Sequence, residues 1–398
     1  MKPKFLVSHP TGNNFVRALV EELFKQSNLE KLFTTIGFGN DSVFQALGRR
    51  VYNIPNKYIE RKVWGEFLRL ASPTKGDYKT RISATDKMYE KFDKHVSFNL
   101  KKHKPDIVHS YEDCSYQTFI KARDHGIVCS YELPIAHWMT TRRLLSEEAE
   151  RYPDWAETME NKNESEEKLI RKEKELELSN CITCPSNFVL ESIPQEIRQK
   201  KVCLVSPFGS PTIVNNTGAN SKAKKKKLKI LFVGSMTQRK GLADIFSAMK
   251  LLSGLPIELS ILGKPAMQME FYRKRFDSFN YFQPCSNYNV RKIMSRHDAL
   301  LMPSIVEGRA LVQQEALSCG LPVITTYNAG GEDLIDEGKT GFLIPIRSPN
   351  KIVEKISLLF ESKINRRDRI EICQKKAAEY SWKNYAMGII SLASSIKE

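Results

Sequence analysis

Residues 302–326, MPSIVEGRALVQQEALSCGLPVITT, decide the architecture. Ala310 to Cys319 has helical composition, Gly308 permits a tight entry, Gly320 stands where a left-handed residue ends a helix, and Pro322 follows. Apolar runs of strand length flank this helix, ALLMPS before it and LPVITT after it. Strand, turn, helix and strand in succession make the βαβ unit of a parallel sheet, and such sheets bind ligands beyond the C-terminal ends of their strands.

That turn and helix carry two carboxylates. Leu311, Val312, Ala316, Leu317 and Cys319 leave the helix little polar face, so Glu315 must meet strong hydrogen-bond donors or shift its pKa. Ribose hydroxyls are such donors. Glu307 stands just before the helix, about 12 Å from Glu315 at the rise of a helical residue, which is the scale of a sugar–diphosphate–ribose span. The unpaired N–H groups of the first turn, around Arg309, Ala310, Leu311 and Val312, form an anion site between them. The plainer alternative is a capping Glu307 and a salt-bridged Glu315.

Working outward, an earlier strand at Ile230–Val233 runs into VGSMTQRKG and then a helix carrying Leu242, Ile245, Phe246 and Met249. The turn opens at Gly234 and Ser235 and ends on two adjacent cations, Arg239 and Lys240. A diphosphate suits that pair, because Arg offers a fork of donors and Lys a movable point charge. The N-terminal half opens in the same way: strand Phe5, Leu6, Val7, turn Pro10, Thr11, Gly12, Asn13, then a helix with Phe15, Leu19 and Leu23 on one stripe. The chain reads as doubly wound α/β twice, with a cleft between two facing sheets. Its 398 residues exceed what one core usually serves.

Charge and composition bound the function. The net charge is +16, but residues 201–250 hold 10 Lys and Arg against 1 acid, while residues 101–200 are net acidic at 15 against 19. That distribution fits a lysine-rich linker, NNTGANSKAKKKK, plus one basic face better than a nucleic-acid groove, so no nucleic-acid partner is expected. Eight scattered cysteines lack the density of a disulfide scaffold, and Cys181 with Cys184 reads as a pair of strand residues. No apolar run reaches the length of a membrane span, and MKPKFLVSHPTG lacks a secretory signal, so a cytoplasmic protein is expected. The stretch Arg49–Arg69 interleaves Arg50, Lys57, Arg61 and Lys62 with Tyr52, Ile54, Tyr58, Ile59, Trp64 and Phe67. It reads equally as a peripheral contact with an anionic membrane, on the inner face, or as a packed helix.

At this point the second half resembles glycosyltransferase family 4, the group 1 retaining enzymes of the GT-B fold. The matching pieces are FVGSMTQRKGLADIFSAM, LMPSIVEGRALVQQEALSCGLPVITT, AGGEDLIDEGKTGFLIP and YSWKNYAMGI. The resemblance implies that Glu307 touches the transferred sugar, Glu315 the ribose, and Arg239 and Lys240 the diphosphate. It implies two facing Rossmann-like domains, an acceptor-binding one at 1–212 and a nucleotide-sugar-binding one at 228–380, joined by a linker at 213–227. A helix at 381–398, containing Trp382 and Tyr385, crosses back onto the first domain. The chain departs from the family at Ser235, where members carry an Arg that Arg239 replaces. It departs again at Arg309 and Ala310, where members have Phe-Gly; Arg309 is then a further phosphate or sugar contact, or faces solvent.

In the first half, Gly12 and Asn13 resemble the family's glycine loop near the diphosphate. PDIVHSYEDCSYQTF reads as strand, polar turn and helix, with Tyr111 where members place a His. His109, Tyr111, Asp113 and His137 are the acceptor-side candidates, although a lone His beside a strand is more often structural. The absence of any Asp-x-Asp disfavours a metal-dependent enzyme, so neither metal nor cofactor is expected beyond the sugar nucleotide. These readings converge on a retaining hexosyltransferase acting on a glycan or lipid-linked acceptor in cell-surface polysaccharide or glycolipid synthesis. A GT-B sugar-nucleotide epimerase and a basic polyanion-binding protein are the alternatives.

Overall fold

A computed structural model describes residues 2–42, 50–63, 66, 78–159, 164–213, 227–362 and 364–397. Two parallel sheets form, and the strands predicted at Phe5–Val7, Ile230–Val233, ALLMPS and LPVITT lie within them. The first contains β1 (Phe5–Ser8), β2 (Leu29–Thr34), β3 (Ile59–Arg61), β4 (Ile107–Tyr111), β5 (Val128–Glu132), β6 (Cys181–Cys184) and β7 (Val202–Val205). The second contains β8 (Leu228–Val233), β9 (Ile257–Leu262), β10 (Phe279–Phe282), β11 (Ala299–Met302), β12 (Val323–Thr326) and β13 (Gly341–Ile344). Their spatial orders are β3-β2-β1-β4-β5-β6-β7 and β10-β9-β8-β11-β12-β13. Strand order reverses between β1 and β4 in one sheet and between β8 and β11 in the other, and at such a reversal the following loops diverge and open a crevice.

Five helices matter for the site: α1 (Asn14–Lys25), α2 (Trp138–Arg151), α3 (Leu242–Leu251), α4 (Leu311–Ser318) and α5 (Trp382–Lys397). In α1, Phe15, Leu19 and Leu23 are buried as their spacing predicts; in α3, Leu242, Ile245, Phe246 and Met249 are. The last helix crosses back. Tyr385, Ala386, Ile389, Ile390 and Ala393 of α5 share a core with Phe5 and Val7 of β1 and the apolar face of α1. Where the chain leaves the first domain it runs beside the return segment: the Ser210 N–H donates to the Tyr380 carbonyl at 3.0 Å. A Cβ on Gly209 would lie 2.3 Å from the Trp382 nitrogen.

One feature was not legible in the sequence. Helix α2 and the 3-10 turn Pro153–Thr158 reach out of the first half and pack on the second sheet. Trp155, only 2 % exposed, is set among Phe246, Phe271 and Tyr272, with ring centroids 5.9, 5.0 and 5.8 Å away.

Cys181 and Cys184 lie buried in β6 as free thiols. The stretch from Arg50 to Arg61 is not the helix that a packed reading predicts. Val51 bridges to Phe38, Asn56–Tyr58 form a 3-10 turn, and Ile59–Arg61 are β3. Tyr52, Ile54 and Ile59 are buried in the first core, so they do not face outward to a membrane. Arg49, Trp64, Phe67 and Arg69 lie outside the described residues, as does the lysine-rich stretch apart from Lys227. Among the described residues no helix is long and apolar enough to cross a membrane.

Candidate functional site

The loops leaving β8 and β11 diverge at the reversal point of the second sheet. The first ends in a single 3-10 turn, Gln238–Lys240, which stops at Gly241 with φ +77°. A Cβ there would stand 2.1 Å from the Pro303 carbonyl oxygen, so only glycine lets this turn lie against the β11 loop. The Ile305 N–H donates to the Arg239 carbonyl at 2.8 Å and ties the two loops together. Gly234, at φ +154°, brings the backbone alongside the Lys240 side chain, whose Cε would lie 3.7 Å from a Cβ at that position.

This folding assembles three predicted residues. Arg239 and Lys240 both reach Oε1 of Glu307, each at 2.5 Å, and the Arg239 guanidinium also donates to the Val306 carbonyl at 3.1 Å. All three are largely buried. Burial pushes the Lys240 ammonium below its usual range despite the attraction of Glu307, with Arg239 pushing in the same direction. Burial acts to raise Glu307, but Lys240 and Arg239 more than offset it and hold the carboxyl below the ordinary glutamate range. The result is a net-positive cluster in a desolvated loop, preorganised for an anion.

Helix α4 begins at Leu311, so residues 307–310 are loop and the helical rise behind the 12 Å estimate applies only to the later part of the span. The Ala310 N–H is spent on the Ala329 carbonyl and the Gln313 N–H on the Ala310 carbonyl. Those of Leu311 and Val312 have no acceptor among the described residues, so these two of the four expected N–H groups stand open to an anion. The Glu315 carboxylate makes no ion pair or hydrogen bond among the described residues. Burial raises its pKa and the more distant Arg291 only partly offsets this, so the salt-bridged alternative does not hold.

Arg309 neither faces solvent nor reaches toward the cation pair. Its guanidinium grips Asp333 through two bonds of 2.7 and 3.1 Å, donates to the Gly330 carbonyl and Gln314, and lies over the Tyr380 ring. It braces the entry to α4, with four of its five N–H groups committed to these bonds. Ser235 contributes its carbonyl to the turn, accepting from Thr237 N–H at 2.8 Å.

The first-domain candidates are more dispersed. The Gly12 and Thr11 N–H groups donate to His9 Nδ1 at 2.8 and 3.1 Å, and Gly12, at φ +64°, leaves no room for a Cβ beside the Tyr52 hydroxyl. Asn13 is exposed at the N-terminus of α1 and makes no side-chain cap. Neither makes a hydrogen bond or ion pair to the cation cluster. His109 lies mid-strand, fully buried between Ser130 Oγ at 2.9 Å and Glu132 at 3.4 Å. His137 caps α2 and pairs with Glu173 at 3.0 Å, both contacts lying within the first half of the chain. Tyr111 ends β4 with its ring 4.7 Å from His9, and Asp113 pairs with Lys168 at 3.3 Å.

Sequence reasoning missed two residues. His9 stands directly after β1 at the other reversal point; burial, then the neighbouring His109, pushes its pKa down to about 3. It is therefore a neutral imidazole accepting through Nδ1, with its proton on Nε2. Gln238, fully buried, precedes the cation pair and is bonded to residues of the first domain. Position next to a predicted turn was the only signal for either.

Residues 215–376 match the family described as "Glycosyl transferases group 1". An "Uncharacterized 41.2 kDa protein in cps region" of Klebsiella pneumoniae is 30% identical over 134 residues, 34% of this chain and 37% of that relative. The chain thus aligns with little more than a third of that protein's length. Sucrose-phosphate synthase from Thermosynechococcus elongatus superposes with a TM-score of 0.68 at 16% identity, covering 97% of both chains. The apo form of the lipopolysaccharide outer core galactosyltransferase WaaB does so with a TM-score of 0.63 at 18% identity, covering 98% of this chain and 99% of that one. At such identities the likeness establishes the fold, which is GT-B.

Proposed function

We propose that this GT-B chain, with its group 1 glycosyltransferase region, is a retaining, metal-independent enzyme that moves a sugar from a nucleoside diphosphate to an acceptor hydroxyl. The observation that carries the reading is the Arg239–Lys240–Glu307 cluster at the sheet reversal, beside the open N–H groups of Leu311 and Val312. The diphosphate would lie against the two cations and the helix N-terminus, with the ribose on Glu315 and the hexose on Glu307. As the bond from the anomeric carbon to the phosphate oxygen breaks, negative charge collects on the leaving diphosphate, where two fixed cations stabilise it most. The acceptor oxygen bonds to the same face of the anomeric carbon, and its proton passes to the departing phosphate oxygen. Arg239 and Lys240 supply the positive charge that a metal ion would otherwise bring. The first domain would hold the acceptor, a glycan or lipid-linked glycan at the cytoplasmic face, in keeping with the solved relative that acts on lipopolysaccharide outer core.

Thermal unfolding in the presence of UDP, GDP, ADP and their sugar conjugates tests the donor site. One base should raise the melting temperature, since ligand at 100 times its dissociation constant adds ~2.7 kcal/mol. Transfer from that donor should then survive excess EDTA, and proton NMR should show the anomeric configuration retained. No stabilisation by any of the three families of ligand, or transfer that chelation abolishes and Mn²⁺ restores, contradicts the proposal.

A further inference from the structure

Resting on the donor-site reading above, we infer that Glu148 of the first domain is a positioning residue for the phosphate-facing turn of the second, acting through Gln238. Gln238 is fixed at every polar atom that can be fixed. Its backbone N–H donates to Thr158 Oγ1 at 3.1 Å; its side-chain oxygen accepts from Ala243 N–H at 2.7 Å. Its amide nitrogen donates to Glu148 Oε1 at 2.7 Å and to Asp244 Oδ2 at 3.1 Å. An amide held by an N–H at its oxygen end and by two carboxylates at its nitrogen end cannot flip without facing like against like.

Glu148 belongs to α2, inside the part of the first half that reaches across. It is fully buried, and its carboxylate also accepts from Arg151 at 3.1 Å and from Arg347 of the second domain at 2.7 Å. Arg151 in turn grips Asp244 at 2.7 and 3.2 Å. Two buried carboxylates facing one amide are tolerable because one guanidinium from each domain neutralises them. The 3-10 turn then passes the position on: Gly241 N–H closes on the Gln238 carbonyl at 2.8 Å, and Lys240 N–H on the Thr237 carbonyl at 3.2 Å. The Lys240 backbone thus moves with that of Gln238. The first domain presses on the other donor element as well. Ser186 Oγ donates to the Gly308 carbonyl at 2.7 Å, and a Cβ on Gly308 would meet the Pro134 carbonyl oxygen at 1.8 Å. Residues that touch no ligand thereby set where the cations and Glu307 stand, and a misplacement of ~1 Å is enough to cost a site most of its advantage.

Calorimetric titration of UDP, GDP and ADP, each beside its nucleoside, tests this. Glu148→Gln keeps the shape and removes the charge that Gln238 reads; Thr158→Val removes the second anchor in an isosteric swap. Each should weaken the nucleoside diphosphate that the wild type binds by about tenfold and leave the matching nucleoside within about twofold. In an Arg239→Ala, Lys240→Ala background the effect of Glu148→Gln should largely vanish, because no cation of the turn remains to be placed. A merely structural brace would weaken nucleoside and diphosphate alike, or act additively with the loss of both cations; either result, or wild-type affinity in both folded variants, overturns the inference. Should Glu148→Gln fail to fold, Thr158→Val decides by the same criteria. If the wild type binds none of the three diphosphates, the donor-site reading itself has failed, and this inference falls with it.

Discussion

Lys240 and Glu315 hold different stations in one site, and their kinetics should separate. In the proposed donor site Lys240 would lie where charge grows during reaction, so Lys240→Ala should lower kcat by ~10²-fold or more. Glu315, its pKa raised by burial and its carboxylate unpaired among the described residues, would in the proposed site make a ribose contact that the ground and transition states share, so Glu315→Ala should mainly raise the donor KM. Steady-state rates at saturating acceptor distinguish the two, and near-normal kcat in folded Lys240→Ala would remove the leaving-group role. His9 offers a test of folding at the same scale. Its pKa drops from 6.5 to about 3 in the folded chain, so between those values the unfolded chain binds more protons and stability falls as the pH falls. The loss amounts to something on the order of 4 kcal/mol by pH 3. His9→Asn keeps an acceptor for the Thr11 and Gly12 N–H groups but cannot titrate. Urea unfolding from pH 7 to pH 4 should show a flatter slope for the variant; an unchanged slope would mean that His9 is not held neutral.

Among the elements, the arm formed by α2 and the following 3-10 turn joins the first half to the second sheet. Trp155→Ala empties a site in the core of the second domain, although the residue belongs to the first half of the chain. It should cost ~3–5 kcal/mol, read from urea unfolding, and a cost below about 1 kcal/mol would show that the arm is peripheral. The arm also marks the limit of what the sequence shows. Periodicity announced β1, α1, β8, α3 and α4, and Gly320 ends α4 at φ +79° as its place before Pro322 suggested, because each signal is local. Arg239, Lys240 and Glu307 were legible for the same reason, being bound to turns that those elements end in. Gln238 and Glu148 were not, since their meaning lies in a bond between residues 90 apart in sequence. Arg309 misled in the opposite direction: a cation at a helix entry suggests a ligand, and only Asp333 and Tyr380, brought by later segments, show that it is spent. In the stretch after Arg49, alternating Tyr52, Ile54 and Ile59 belong to a bridge and an edge strand, a pattern that basic neighbours disguised.

For the whole molecule, domains within one chain are commonly free to move against each other. Here α5 returns to the first sheet, Trp155 enters the second, and Arg347 bonds to Glu147 and Glu148 across the gap at 2.9 and 2.7 Å. Scanning calorimetry should accordingly give one transition for the wild type, and Trp155→Ala should broaden or split it. Two well-resolved wild-type transitions would mean that the bridging contacts are too weak to couple the halves.

The return of α5 also imposes an order in time. A ribosome releases β1 and α1 early, yet the surface they share with Tyr385, Ile389 and Ile390 waits until residues 382–397 have been made, on the order of tens of seconds later. During that interval an apolar strip of the first domain stands open to other nascent chains. A stop codon near residue 380 would leave every residue of the donor cluster in place and still yield a protein prone to clump. Loss of the last described helix would thus be felt first at the first sheet, whose strands all precede the second domain in sequence.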